Sequence, residues 1–147
     1  MLVVPTEGSE LGDMAAIETK GLSKHYGEVR ANEDLTFSVR EGEVFGYLGP
    51  NGAGKSTTIR TLMGFQSPTS GSATVLGHDV TDRKAMIEAK RHMGYIPSEM
   101  GFDEGVTGNR FLRYQASLKR DTRSEELLEL FDPPMERTIG EYSTGNK

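Results

Sequence analysis

The chain has 147 residues, and its 22 acidic residues outnumber its 17 basic ones, which gives a formal net charge of −5. A length of about 150 residues is typical of one domain. The acidic excess argues against a generic nucleic-acid-binding surface, and the absence of cysteine excludes disulfides, thiol catalysis and thiolate zinc sites. No apolar run approaches the roughly 18 residues that a membrane-spanning helix needs, so we expect a soluble, intracellular protein.

The first two thirds of the sequence mix strand and helix patterns. Residues 1–14 combine glycines with acids, which predicts a flexible arm. Alternating apolar and polar residues predict strands at 16–22 and 35–40, with a loop at 24–27. Residues 43–48 are more continuously apolar, as in a strand that is covered on both faces. The next predicted elements, a helix, a strand, a helix and a strand, cover 55–65, 72–76, 85–92 and 93–96.

The spacing of apolar residues changes near residues 97–106, from a mixture of strand and helix patterns to helix patterns alone. One helix is predicted over 110–118, and a second begins at Ser124, a residue type that caps helix N-termini. The run Asp132-Pro133-Pro134 ends the second helix. The sequence therefore predicts three segments, namely a flexible N-terminal arm, an α/β core and a helical region, over residues 1–14, 15–97 and 98–147.

A glycine-rich loop connects the strand at 43–48 with the first helix. It matches the pattern G-x-x-x-x-G-K-[ST] through Gly49, Pro50, Asn51, Gly52, Ala53, Gly54, Lys55 and Ser56. Glycines let successive N–H groups point at phosphate oxygens, and the helix N-terminus adds partial positive charge. Lys55 can bridge the β- and γ-phosphates, and the Ser56 hydroxyl can ligate Mg²⁺. The alternative is a glycine turn that caps an ordinary helix, but a chance match is expected in only roughly 2% of chains of this composition.

The sequence from Tyr47 to Thr58 resembles the Walker A region of ATP-binding cassette (ABC) ATPases, most closely those of ABC-2-type exporters. The resemblance extends over residues 16–147. It implies an α/β fold with a P-loop NTPase core, an antiparallel β subdomain, the start of a helical subdomain and an incomplete sheet. It also implies that the segment from Gly49 to Thr57 binds ATP and that Ser56 contacts Mg²⁺.

Three further segments are similar to motifs of the family. Tyr26 stands where the family has an aromatic residue that stacks on adenine. Ser98 occupies the position of the usual Q-loop glutamine, so Ser98 or Glu99 is a candidate Mg²⁺ contact, while a plain surface acid is the alternative for Glu99. The family's signature segment faces nucleotide held by a second cassette, and its candidate contacts here are Ser143, Thr144 and Gly145.

The resemblance implies an ATP-binding subunit of an ABC transporter, in which Mg-ATP drives a separate membrane permease and export is favoured over import. It further implies a second cassette subunit, identical or different, no nucleic-acid partner, and a position on the inner face of the cell membrane. The family's Walker B carboxylate and switch histidine follow the signature, so we expect an N-terminal cassette portion without ATPase activity of its own. The alternatives are a soluble ABC ATPase outside transport and a truncated product that binds nucleotide without catalysis.

Overall fold

The computed structural model describes residues 2–3, 15–97, 101, 103–118 and 124–143. The chain forms two compact units, Met1–Ser98 and Glu99–Lys147. The strands of the first unit are β1 (Leu2–Val3), β2 (Ala15–Tyr26), β3 (Val29–Arg40), β4 (Ser70–Val75), β5 (His78–Asp79) and β6 (Gly94–Tyr95). Its helices are α1 (Lys55–Leu62) and α2 (Arg83–Arg91).

The first unit is organised around the long antiparallel hairpin of β2 and β3. The hairpin turns at Gly27, whose φ of 59° lies in the left-handed region that favours glycine. β4 pairs with the other side of β2, and β5 pairs with β4, so the sheet order is β3-β2-β4-β5. All these pairings are antiparallel, which is the predicted β subdomain.

The core of this unit lies where the sheet packs against the two helices. Asp82 caps α2 by accepting hydrogen bonds from the N–H groups of Lys84 and Ala85, at 2.9 and 3.1 Å. This start orients the apolar stripe of α2, with Met86 and Ala89, toward the sheet. The buried hydrophobic cluster consists of Ile17, Leu22, Val39, Leu62, Met63, Ala73, Val75, Val80, Met86, Ala89 and Met93.

Two predictions for the first unit are wrong at particular residues. The loop expected at 24–27 is largely strand, because the hairpin continues until Tyr26 pairs with Val29. Within the expected arm, Leu2–Val3 forms a strand that pairs antiparallel with β6. The other residues of the arm lie outside the described part of the chain.

The strand predicted at 43–48 is also wrong. Phe45 and Tyr47 stack on Phe37 of β3, with ring centroids 5.4 and 5.7 Å away, but Val44 and Leu48 are 99% and 92% exposed. Only one face of the segment is covered, and no described strand pairs with it. A strand is stabilised by a neighbour that takes up its N–H and C=O groups, and an apolar pattern does not provide one. A cavity of about 330 Å³ lies between this segment, the sheet and α1.

The second unit contains the predicted helices, α3 (Gly108–Leu118) and α4 (Ser124–Phe131), and a 3₁₀ turn, Ile139–Glu141. The N–H of Ile139 donates to the Val106 carbonyl at 2.9 Å, which joins the turn to the segment before α3. Each helix among the described residues is too short or too polar to cross a lipid bilayer. The two units together contain both helices and antiparallel strands, as the α/β prediction requires.

Candidate functional site

The glycine loop leads directly into the N-terminus of α1. The Ala53 N–H donates to the Pro50 carbonyl at 3.2 Å, and Gly54 is the N-cap of the helix, with φ 76° and ψ 8°. The first N–H groups of a helix have no partner within it and carry partial positive charge. The chain thus presents unpaired donors and a glycine turn at one point, which is an arrangement suited to an anion.

Lys55 places its ammonium group over the loop. Its Nζ donates to the carbonyls of Gly49 and Pro50, at 2.6 Å each. The adjacent Ser56 side chain is exposed, and Thr57 is half-buried. The structure therefore brings together the loop residues that the sequence analysis selected, with a cation at the loop and a hydroxyl in the first helical turn.

A buried asparagine that the sequence analysis did not select connects β3 with the loop. When the Asn32 amide is oriented to satisfy both of its polar atoms, Nδ2 donates to the carbonyls of Ala31 and Gly54, at 2.7 and 3.2 Å. Its Oδ1 then accepts from the N–H and hydroxyl of Thr58, at 3.3 and 3.0 Å. Asn32 lies outside the predicted strand at 35–40, and its burial, which makes a fully hydrogen-bonded amide necessary, is seen only in the structure.

Gly54 is packed against this asparagine without room for a side chain. A Cβ at Gly54 would collide with the Asn32 side chain and the Ala31 carbonyl. The Thr58 hydroxyl oxygen also lies 3.2 Å from the Tyr47 hydroxyl and 3.2 Å from the Gly54 carbonyl oxygen. The position of the loop is therefore fixed from β3 and from the first turn of α1.

Tyr26 lies at the end of β2, and its side chain is 48% exposed. Its hydroxyl donates to Gln66 Oε1 at 2.6 Å, and the Lys24 ammonium lies 5.2 Å from the centroid of its ring. An exposed aromatic ring held at its edge can offer a face to a planar ligand. Gln66 was not selected from the sequence, because no pattern links a residue after α1 with the end of β2.

Mg²⁺ prefers oxygen ligands and keeps several waters, so a single protein hydroxyl combined with phosphate oxygens meets its needs. Ser56 supplies such a hydroxyl in the first turn of α1, where its side chain is exposed. Over the described ranges, no three His, Cys, Asp or Glu side chains form a metal site. The residues thus fit a metal ion that arrives with a triphosphate, with Ser56 as its protein ligand.

The remaining candidate residues are only partly described. Ser98, Glu99, Thr144 and Gly145 lie outside the described residues. Ser143 is exposed and follows Tyr142, whose hydroxyl donates to the Pro134 carbonyl at 2.8 Å.

The 3₁₀ turn before Ser143 begins with a capping box. The N–H and hydroxyl of Thr138 donate to the Glu141 carboxylate at 2.9 Å each, and these bonds hold the pKa of Glu141 below its ordinary value. The exposed serine is thereby placed at the end of a locally ordered turn.

Comparison with known proteins gives consistent similarities. Residues 32–147 match the family described as ABC transporter. The chain is 42% identical over 98 residues to the probable multidrug ABC transporter ATP-binding protein YbhF of Escherichia coli (strain K12), covering 67% of this chain and 17% of YbhF. It is 39% identical over 138 residues to the daunorubicin/doxorubicin resistance ATP-binding protein DrrA of Streptomyces peucetius, covering 88% of this chain and 41% of DrrA.

A solved structure of an ATP binding subunit of an ABC transporter superposes with a TM-score of 0.72 and 30% identity, over 88% of this chain and 57% of that one. The predicted fold class, a P-loop NTPase core with an antiparallel β subdomain and an incomplete sheet, is confirmed. The chain spans less than half the length of the two curated relatives.

Proposed function

The chain belongs to the ABC transporter family, and on this premise we propose that it binds Mg-ATP as part of a subunit that drives a separate membrane permease. The observation that carries the proposal is the glycine loop at the N-terminus of α1 with the Lys55 ammonium above it. We assign phosphate binding to the segment from Gly49 to Thr57. Tyr26 is assigned to the base, and Ser56 to the magnesium ion.

Export is the proposed direction of transport. Relatives of the chain include proteins named for multidrug transport, for daunorubicin/doxorubicin resistance and for Nod factor export. Those names belong to these proteins. Nod factor export names outward transport directly, and multidrug transport and drug resistance fit the same direction, which supports export here. The proposal includes a second cassette subunit, which Ser143, Thr144 and Gly145 would face, and a position at the cytoplasmic face of the membrane through the permease.

Binding and hydrolysis of ATP are assigned to different groups, because the phosphate loop, Tyr26 and Ser56 only hold the nucleotide and its magnesium ion. Attack on the γ-phosphate needs a residue that orients and activates water, which the phosphate loop does not supply. We assign that role to a Walker B carboxylate, and these 147 residues contain no apolar strand pattern that ends in Asp-Glu. We therefore expect Mg-ATP binding by the 147-residue chain without release of phosphate. Phosphate release that Lys55→Ala abolishes would contradict this division of roles.

Titration calorimetry with Mg-ATP tests the binding proposal. Lys55→Ala removes a charge-assisted contact with phosphate, and we expect its affinity to fall by roughly 10- to 100-fold. Lys84→Ala is the matched control, because it deletes the same charge from an exposed position in the first turn of α2, outside the phosphate loop. An equal loss in both variants, or no binding by the folded parent chain, would refute the proposal.

A further inference from the structure

The end of β2, which carries Tyr26, is hydrogen-bonded to the turn that follows α1. The Thr69 N–H donates to the Ser23 carbonyl at 2.8 Å, and the His25 N–H donates to the Thr69 hydroxyl at 2.9 Å. These bonds hold the two segments side by side through backbone groups and the Thr69 hydroxyl. The position of the Tyr26 backbone is thus set by the turn at residues 66–69 as well as by the hairpin.

The Gln66 side chain connects the Tyr26 ring with the first turns of α1. Its Oε1 accepts from the Tyr26 hydroxyl at 2.6 Å, and its Nε2 donates to the Thr57 carbonyl and the Thr61 hydroxyl, at 3.0 Å each. Three partners therefore fix the orientation of one amide. Because Thr57 directly follows Ser56, the hydrogen bonds lead from the tyrosine ring to the backbone of the proposed phosphate site.

Lys24 restricts the same ring from one face. Its ammonium lies 5.2 Å from the centroid of the Tyr26 ring and donates to the Ser67 carbonyl at 2.8 Å. A cation over one face of an aromatic ring is attracted by the ring quadrupole, which leaves the opposite face for a planar group. The half-exposed ring is therefore held at its hydroxyl and on one face.

We propose that Gln66, together with Lys24, is a positioning residue that fixes the Tyr26 ring relative to the first turn of α1 and so sets the separation between base and phosphate. This inference rests on the proposed function. A ring that is already oriented loses less conformational freedom when a base stacks on it, which favours binding. The advantage applies to a nucleoside triphosphate and not to a triphosphate without a base.

The test compares two ligands, Mg-ATP and magnesium tripolyphosphate, with single and double variants of the full chain. Tyr26→Phe keeps the ring but removes its bond to Gln66, and Gln66→Met removes the amide at similar length. We expect each to weaken ATP binding by about three- to tenfold, the value of one net hydrogen bond, and to leave tripolyphosphate binding unchanged. The double variant should lose no more affinity than either single one, because both changes break the same link.

Matched controls come from α3. Tyr114→Phe and Gln115→Met make the same chemical changes at exposed positions of the second unit, and we expect neither to alter the ratio of the two affinities. If Gln66→Met fails to fold, Tyr26→Phe decides alone, since it leaves the bonds from Gln66 to α1 in place.

The outcomes separate this inference from the proposed function. If the parent chain does not bind ATP, or Lys55→Ala binds it equally well, both fail. If ATP binding depends on Lys55 but Tyr26→Phe and Gln66→Met retain the parental ratio of affinities, the positioning role is wrong and the proposed function stands. An equal loss of affinity for both ligands would also contradict positioning, because it would indicate general damage to the loop.

Discussion

Replacing Gly54 by alanine tests how tightly β3 holds the glycine loop. Gly54 has a φ of 76°, and a left-handed conformation costs a residue with a Cβ about 1–2 kcal/mol. The new Cβ would also collide with the Asn32 side chain and with the Ala31 carbonyl, which belongs to a paired strand and cannot move away easily. Overpacking of this kind costs about 1–3 kcal/mol. We therefore expect Gly54→Ala to lower the free energy of unfolding by about 2–5 kcal/mol.

Gly77→Ala separates the two contributions. Gly77 has the same φ of 76°, but a Cβ there meets nothing within 4 Å. It should lose only the conformational term, about 1–2 kcal/mol. The difference between the two variants then measures the collision with β3.

Urea unfolding followed by far-UV circular dichroism measures these values, without nucleotide so that lost binding does not enter the result. A third variant, Asn32→Ala combined with Gly54→Ala, should lose less than the sum of the two single losses, because the collision with the Asn32 side chain disappears while that with the Ala31 carbonyl remains. Equal destabilisation by Gly54→Ala and Gly77→Ala, within about 0.5 kcal/mol, would refute the packing argument.

Three further predictions concern side chains on both units. Asn32→Leu deletes the buried amide of β3 that bonds to Gly54 and Thr58, and it should lower the free energy of unfolding by about 1–3 kcal/mol in the same urea assay. An unchanged free energy would contradict a stabilising role for these hydrogen bonds. The hydroxyl and N–H of Thr81 lower the pKa of Asp79, so Thr81→Ala should raise that pKa in a carboxyl NMR titration, and a constant value would count against it. The stabilisation by this carboxylate is present above its unfolded pKa and is lost as the pH falls through its folded pKa, so the variant should lose stability at neutral pH but not in strong acid. Gly108→Ala would bring a Cβ against a tyrosine hydroxyl and should accelerate hydrogen exchange in the second unit, whereas Gly101→Ala has open space, and equal exchange would exclude the collision.

The elements that could be predicted best from the sequence are those determined by residues close together in the chain. The four helices of the described residues lie within three residues of the ranges predicted from apolar spacing and, for the last one, from the cap at Ser124, and the phosphate loop is followed by α1 as its pattern requires. These features depend on residues a few positions apart in the chain. Propensity and capping can therefore be evaluated without knowing the fold.

Features that depend on distant residues could not be predicted in the same way. The segment 43–48 has the composition of a buried strand, but Leu48 is 92% exposed because strand formation requires a pairing partner. Asn32 and Gln66 acquire their roles only when β3 meets Gly54 and when the turn after α1 meets Tyr26. Contacts of this kind leave no periodic signal in a single sequence.

The two hydrogen bonds that Lys55 makes to loop carbonyls bear on the energetics of the proposed phosphate binding. A phosphate that reaches the loop competes with the Gly49 and Pro50 carbonyls for the same ammonium protons. Only one of the three ammonium protons is free of these carbonyls, so we expect binding partly to exchange acceptors and the heat released to reflect the difference between charged and neutral acceptors. Because the ammonium is already held near its place of action, little side-chain entropy remains to be lost. For the proposed site we therefore expect a modest enthalpy with a small entropic penalty, and a count of final contacts would overestimate the affinity.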